Sequence, residues 1–451
     1  MSARDAMATH DHPRTDLFGH PRALSYLFAT EMWERFSYYG MRALLVLYMV
    51  KYLLDPEKGR DVIGLSALRT VFENLFGTLD TQPFASHIYG FYTGLVYLMP
   101  VLGGLLADRV LGQRRTVIAG ATLMAIGHFL MAFEQLFLFA LGLLILGNGA
   151  FKPNISTQVG ALYGPGDRRR DRAFSVFYVG INLGAFLAPL VCGTLGEKLG
   201  WHYGFSAAGI GMTAGLVIYL FATPHLPKDA FARRETPPAP IDKNGRQSIA
   251  ALLLLFVPVS LFWAAYEQQG NTIALWADQF TDRQLFSAEI PVTWFQAFNP
   301  FMIFAFTPFI VAFWRYQGPS EPSTTVKLAI GCTLTAIAYL IMAAAAWNAG
   351  TAKASWIWLL VYFVIITIGE LYLSPTSLSL VTKVAPKSLL SMMMGVWLAT
   401  SFAGNFLAGY LGSFWSSMGK IEFFLMLAAV SAAAAGSIAL LRLPLRAVLR
   451  D

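Results

Sequence analysis

The chain has 451 residues, of which 56% are hydrophobic and 13% charged, and its formal net charge is +7. A soluble domain is about a quarter charged. Here the apolar residues instead gather in runs of the roughly 20 residues that cross a hydrocarbon slab, such as 116–133, 250–266 and 326–347. An ordinary soluble fold is excluded, and the basic balance bears on orientation in a lipid bilayer rather than on a nucleic-acid partner.

The first 20 or so residues are polar and hold no signal-peptide core. Six spans are then expected at 22–50, 84–107, 114–134, 136–160, 171–196 and 201–222. A polar linker with the stretch Pro237-Pro238-Ala239-Pro240 separates them from six more, at 247–269, 292–314, 325–346, 354–382, 388–413 and 421–443. In lipid only helices or closed barrels satisfy the backbone, and runs this long read as helices. The expectation is an all-α integral membrane protein of about 12 transmembrane helices. It divides into a cytoplasmic tail (1–21), a six-helix bundle (22–222), a cytoplasmic linker (223–246), a second six-helix bundle (247–443) and a tail (444–451). Cys192 and Cys332 sit inside apolar runs with no second Cys or His nearby, and read as packing residues rather than a disulfide or metal pair.

Placing both termini in the cytoplasm puts 22 Lys and Arg residues on the inside and eight on the outside, as the positive-inside rule asks. That ratio favours an even number of spans with both ends inside, and the plasma (inner) membrane is the expected location. Between spans 2 and 3 stands Gly104-Leu105-Leu106-Ala107-Asp108-Arg109-Val110-Leu111-Gly112-Gln113-Arg114-Arg115. This loop, with twelve spans split six and six, resembles the major facilitator superfamily. In that reading the glycines allow close helix approach, and Asp108 with the arginines clamps the inward ends of neighbouring helices.

Three cations, Arg35, Arg42 and Lys152, and four carboxylates, Glu31, Glu34, Glu267 and Glu370, fall inside the spans. Each costs at least ~2.5–3.5 kcal/mol at mid-membrane on insertion scales, so seven of them are hard to attribute to packing. Glu31, Glu34, Arg35, Tyr38 and Arg42 follow a helical spacing that puts them on one face, which must look into the bundle. Depth suggests partners. Arg42 lies 20 residues past Arg22 in span 1, and Glu267 lies 21 past Arg246 in span 7; at about 1.5 Å per residue both reach the outer end. Lys152 in span 4 and Glu370 in span 10 sit past the midplane toward the cytoplasm, near Glu31, Glu34 and Arg35. Spans 1 and 7, and 4 and 10, correspond between the halves, so an outer pair Arg42–Glu267 and an inner pair Lys152–Glu370 suit two gates of a rocking transporter. Four carboxylates against three cations leave one negative charge without a full partner, and a buried carboxylate of that kind takes a proton readily. A cavity with separated charges suits a zwitterion; the residues alone do not name it.

Glu31-Met32-Trp33-Glu34-Arg35-Phe36-Ser37-Tyr38-Tyr39-Gly40 resembles the ExxERFxYYG motif of proton-dependent oligopeptide transporters. Five further stretches are similar to patterns of that family: 147–154 around Lys152, 177–184 around Asn182, 262–268 around Glu267, 295–300 around Asn299 and 369–375 around Glu370. The resemblance implies a symporter of di- and tripeptides, with no cofactor beyond protons as coupling ion, acting as a monomer. It implies that Arg35 and Lys152, helped by Tyr39, hold the peptide carboxylate, and that Glu370, Asn182 and Asn299 hold its amine. Tyr38, Tyr97, Trp263, Trp397 and Ser401 would line side-chain pockets, and Glu31, Glu34, Arg35 and Glu267 would couple protons. Two departures stand out. The span 2 histidine of animal members is matched by Gly90, with His87 about a turn earlier. The linker is also too short for the two extra helices of many bacterial members, and the loop between spans 9 and 10 is too short for the external domain of animal members, which points to a compact prokaryotic type. Alternatives are a transporter for another small anion or zwitterion, such as nitrate, or a transporter-like sensor. An enzyme is not expected, since no metal cluster or nucleophile motif occurs within the spans.

Overall fold

Twelve helices of 18 residues or more run through the described part of the chain. They are α1 (Arg22–Tyr48), α2 (Thr81–Leu106), α3 (Gln113–Leu130), α4 (Phe137–Ala161), α5 (Arg169–Ala188) and α6 (Trp201–Ala222). The second six are α7 (Lys243–Tyr266), α8 (Phe298–Gln317), α9 (Thr324–Ala349), α10 (Ile357–Val384), α11 (Leu390–Gly412) and α12 (Lys420–Leu449). The computed structural model describes residues 16–17, 19–55, 61–164, 167, 169–227, 229, 243–386 and 389–449. Most of the expected tail 1–21 and of the linker, including Pro237–Pro240, lies outside them. α7 begins before the expected span, and α12 continues to Leu449, past the expected bundle boundary at 443.

Among the described residues, nine of these helices are long and apolar enough to cross a membrane on composition alone. The other three are α1, α3 and α11. α1 carries Glu31, Glu34, Arg35 and Arg42, all of them buried. Its polar groups are tolerated because they face protein rather than lipid.

Helix packing repeats between the halves. α1 packs on α5 and α6, α2 on α4, and α3 on α4 and α6; likewise α7 packs on α11 and α12, α8 on α10, and α9 on α10 and α12. Adding six to each index of the first set yields the second, so the molecule is two copies of one six-helix unit. Small residues set the closest approaches, as is usual where helices meet in lipid. A Cβ on Gly103 would collide with the Gly149 carbonyl oxygen and stand 2.8 Å from the Ala150 Cα, so α2 and α4 touch backbone to backbone.

The halves meet through α2 on α11 and α5 on α8, which exchange under the same repeat. A Cβ at Gly90 would lie 2.6 Å from the Gly409 Cα, so this seam too is closed at backbone distance. Among the described residues α4 and α10 share no close packing of the kind that joins α2 to α11 and α5 to α8. The molecule is therefore closed at the end opposite the linker, the far face, and open between α4 and α10 at the end where the linker leaves α6, the linker face.

Two further features lie off the twelve-helix plan. The short helix Leu65–Phe76, absent from the sequence expectation, shows three faces on the far side. Phe72 and Phe76 turn inward, stacking on Phe91 at 4.8 Å and His87 at 4.2 Å; Ser66, Thr70 and Asn74 form an exposed polar row, and Ala67, Val71 and Leu75 an exposed apolar one. On the linker face the loop between α2 and α3 departs from expectation. Asp108 is exposed and makes no ion pair among the described residues. Arg114 does the clamping instead, donating from Nε to the Pro227 carbonyl at 3.0 Å and from its terminal amine to the Leu226 carbonyl. The Arg114 backbone N–H also donates to Asp229 at 3.2 Å. An arginine of the first half thus holds the start of the linker.

Candidate functional site

A cavity of about 400 Å³ lies between the halves, within the range of small-molecule sites. Eight helices carry its polar groups, among them Tyr39 and Arg42 on α1, Tyr97 on α2, Lys152 on α4, Asn182 on α5, Trp263 and Tyr266 on α7, Asn299 on α8 and Glu370 on α10. Trp397 and Ser401 enter from α11. Along α10 the lining continues past Glu370 to Leu378, toward the linker face, whereas Arg42, Glu267, Gly270 and Gln296 form a roof on the far side.

The seven intramembrane charges sort into three groups. Arg42 and Glu267 form an ion pair in the roof, and Arg42 Nε donates to the Tyr89 hydroxyl at 2.8 Å. Glu267 sits where α7 gives way to the tighter turn Glu267–Gly270, and that turn brings its carboxylate across to α1. Glu31, Glu34 and Arg35 form a second group, buried inside the first half. Arg35 Nε is 3.2 Å from Glu31 and also bonds Glu34, and Asn148 donates to the second oxygen of Glu34 at 3.0 Å. Lys152 and Glu370 form the third. They line opposite walls and make no ion pair with each other or with any other described group. The Lys152 ammonium rests 4.7 Å from the Tyr97 ring centroid, a cation–π contact. Glu370 Oε2 accepts from the Tyr266 hydroxyl at 2.6 Å and from Asn299 Nδ2 at 3.0 Å.

These positions differ from the sequence expectation in three ways. The expected inner cluster is divided, because Glu31, Glu34 and Arg35 bond one another within one half, with Glu31 Oε2 and a terminal nitrogen of Arg35 left without a partner among the described residues, while Glu370 belongs to the other. The Lys152–Glu370 pair is open, since α4 and α10 stand apart here. Arg35 and Tyr38 are buried beside the cavity rather than among its lining residues; the Arg35 guanidinium lies 5.4 Å from the Tyr38 ring centroid. Asn182 lines the cavity, and its amide donates to the Tyr178 carbonyl one turn back at 2.9 Å.

Sequence reasoning passed over several groups. Tyr266 stands within a recognised stretch next to Glu267 and draws no notice, because an aromatic in an apolar helix reads as packing. Glu197 is a second omission. Its carboxylate accepts from the backbone N–H groups of Val292 and Thr293, both at 2.8 Å, and from the Thr293 hydroxyl at 2.7 Å. It thereby ties the short helix Thr194–Lys198 that follows α5 to the turn Val292–Ala297 that leads into α8. Lys51 and Asp278 add a far-face ion pair at 2.7 Å. Gln82 and Ser86 of α2 bond Gly412 and Asn271 of the other half at 2.9 Å each.

Two six-helix repeats around a central cavity, sealed by polar bonds at one end and parted at the other, define a transporter of the major facilitator superfamily. The sequence matches the family model described as POT family over residues 114–236 and 240–442. It is 35% identical over 469 residues to the peptide transporter YePEPT of Yersinia enterocolitica, with 88% of each chain covered. It is 34% identical over 476 residues to a di-/tripeptide transporter of Lactococcus lactis subsp. cremoris, covering 90% of this chain and 92% of that one. A crystal structure of a peptide transporter POT in complex with sulfate matches with a TM-score of 0.87 at 30% identity, covering 97% of this chain and 98% of that one. The chain belongs to the POT family. It is a multi-pass membrane transporter, not an enzyme.

Proposed function

We propose that the protein imports di- and tripeptides together with protons by alternating access across the plasma membrane. One observation carries this reading: Lys152 and Glu370 line opposite walls of a single cavity of about 400 Å³, each without an opposite charge as partner. A zwitterion of peptide length offers a carboxylate to the first and an ammonium to the second. Charge-assisted hydrogen bonds of this kind are among the stronger polar contacts, and both charges stand on half-buried side chains, where screening is weaker than in bulk water. The relatives named as peptide transporters, and the structural neighbour holding an anion, support the same assignment.

In this reading Lys152, with Arg35 and Tyr39, receives the peptide carboxylate, and Glu370, with Asn299 and Asn182, receives the amine. Tyr38, Tyr97, Trp263, Trp397 and Ser401 shape the space for side chains. Glu31 and Glu34, with Arg35 and Glu267, carry the coupling proton. Arg42–Glu267 is the outer latch and Lys152–Glu370 the inner one. The linker face is cytoplasmic by the excess of inside positives, both termini lie there, and the transporter works as a monomer.

The test is uptake of a labelled dialanine into proteoliposomes with and without an inward proton gradient. Uptake accelerated by the gradient and competed by unlabelled dipeptide is expected. Absence of dipeptide uptake or competition under both conditions overturns the reading. Glu31→Gln and Glu34→Gln are expected to lose gradient-driven uptake while keeping peptide counterflow; pH-driven uptake retained in both would remove those carboxylates from the coupling role.

A further inference from the structure

Glu370 is held by one oxygen. Oε2 takes the Tyr266 hydroxyl at 2.6 Å and Asn299 Nδ2 at 3.0 Å, while Oε1 accepts from no described group and is not enclosed by protein. Asn299 is itself fixed, because Nδ2 also donates to Thr367 Oγ1 at 3.0 Å, and Thr367 sits one turn before Glu370 on α10. Tyr266 is fixed by packing: its ring stacks on Phe262 at 5.7 Å and meets Trp263 edge-on at 5.3 Å. The carboxylate therefore stands in a rigid mount with one oxygen pinned and the other turned to the cavity. The neighbouring residue, Glu267, bonds Arg42 in the far gate. Consecutive side chains at the end of α7 thus reach the substrate wall on one side and the gate on the other.

We propose that Tyr266 is a positioning residue for substrate. It holds Glu370 so that a single oxygen is presented as the acceptor for one ammonium at a time, whether the amine of a peptide or that of Lys152. This rests on the function proposed above and adds to it a lining residue that acts through Glu370. The physical gain is preorganisation: a carboxylate already fixed in its binding orientation does not give up rotamer freedom when the ligand arrives. Phenylalanine at 266 keeps the ring contacts and removes the hydroxyl, which also lies 3.1 Å from Asn299 Oδ1, so Glu370 turns more freely about its terminal bonds.

The experiment is dialanine uptake by wild type and Tyr266→Phe in proteoliposomes, with inhibition by N-acetyl-dialanine measured in parallel. The expected result is a KM for dialanine raised about five-fold, with the maximal rate kept within two-fold and the inhibition constant of the acetylated peptide unchanged. An unchanged KM overturns the proposal. So does a fall in maximal rate alone, or an equal weakening of both ligands, which marks general distortion of the cavity. Should Tyr266→Phe not fold, Tyr266→Leu with the same two ligands carries the comparison. Wild-type uptake of dialanine separates the outcomes: its absence sinks the peptide reading, whereas its presence with an unaltered KM in the variant sinks only the role of Tyr266.

Discussion

Arg42 and Glu267 show what a buried pair costs when it loses a member. Glu267 is 2% exposed and Arg42 9%, so removing one partner leaves an uncompensated charge, a loss of about 3–5 kcal/mol in buried pairs. Glu267→Ala is expected to lower the melting temperature in detergent more than Arg42→Ala with Glu267→Ala together does. If the losses of the two single variants simply add in the double, the charges do not interact. The pair was legible in the sequence because charges in apolar helices are conspicuous and because depth can be counted at a fixed rise per residue. Tyr266 and Glu197 were not. Tyr266 acts through a hydroxyl that the apolar pattern hides. The partners of Glu197 are chiefly the backbone N–H groups of Val292 and Thr293, and backbone groups leave no mark on residue type.

Helix packing depends on single glycines whose neighbours in sequence do not matter. Gly103 faces the backbone of α4, whereas Gly104, next along the chain, has nothing within 4 Å of where its Cβ would stand. Gly103→Ala is expected to abolish folded yield or cut thermal stability sharply, and Gly104→Ala to leave both unchanged, as read by size-exclusion profile and melting curve. Similar losses in both would mean that the close approach at Gly103 is not what sets stability here, since alanine by itself gains helix propensity over glycine. Element existence was readable from the apolar runs, and most helix ends fall within a few residues of expectation. The helix Leu65–Phe76 was missed because it is short and amphipathic, so no run of membrane length marks it.

The two halves are coupled by few bonds, concentrated at one end. Glu197 receives three donors from the start of the second half's α8 region, and a hydrogen bond to a charged acceptor contributes about 1.5–3 kcal/mol. Glu197→Gln exchanges one acceptor oxygen for a donor group and should shift the molecule toward opening at the far face. Spin labels at Leu199→Cys and Phe286→Cys, on exposed far-face positions of opposite halves, should report a larger long-distance population in the variant. An unchanged distance distribution would show that Glu197 is not a lock. The native Cys192 and Cys332 are buried and do not compete for label.

The three-faced helix Leu65–Phe76 has a mechanical meaning. A polar row suits water and an apolar row hydrocarbon, the pattern of a helix that would float at a membrane interface. Phe76 lies 6.2 Å from the Tyr410 ring on α11, across the seam between the halves. A float moored to both banks of a seam is displaced whenever the leaflet thins or thickens, at a cost of fractions of a kcal/mol per ångström. Transport rate should then vary with lipid acyl-chain length, and Val71→Ser with Leu75→Ser should flatten that dependence. The bilayer would be not only the medium that holds the transporter but a spring working on the gate at its far face.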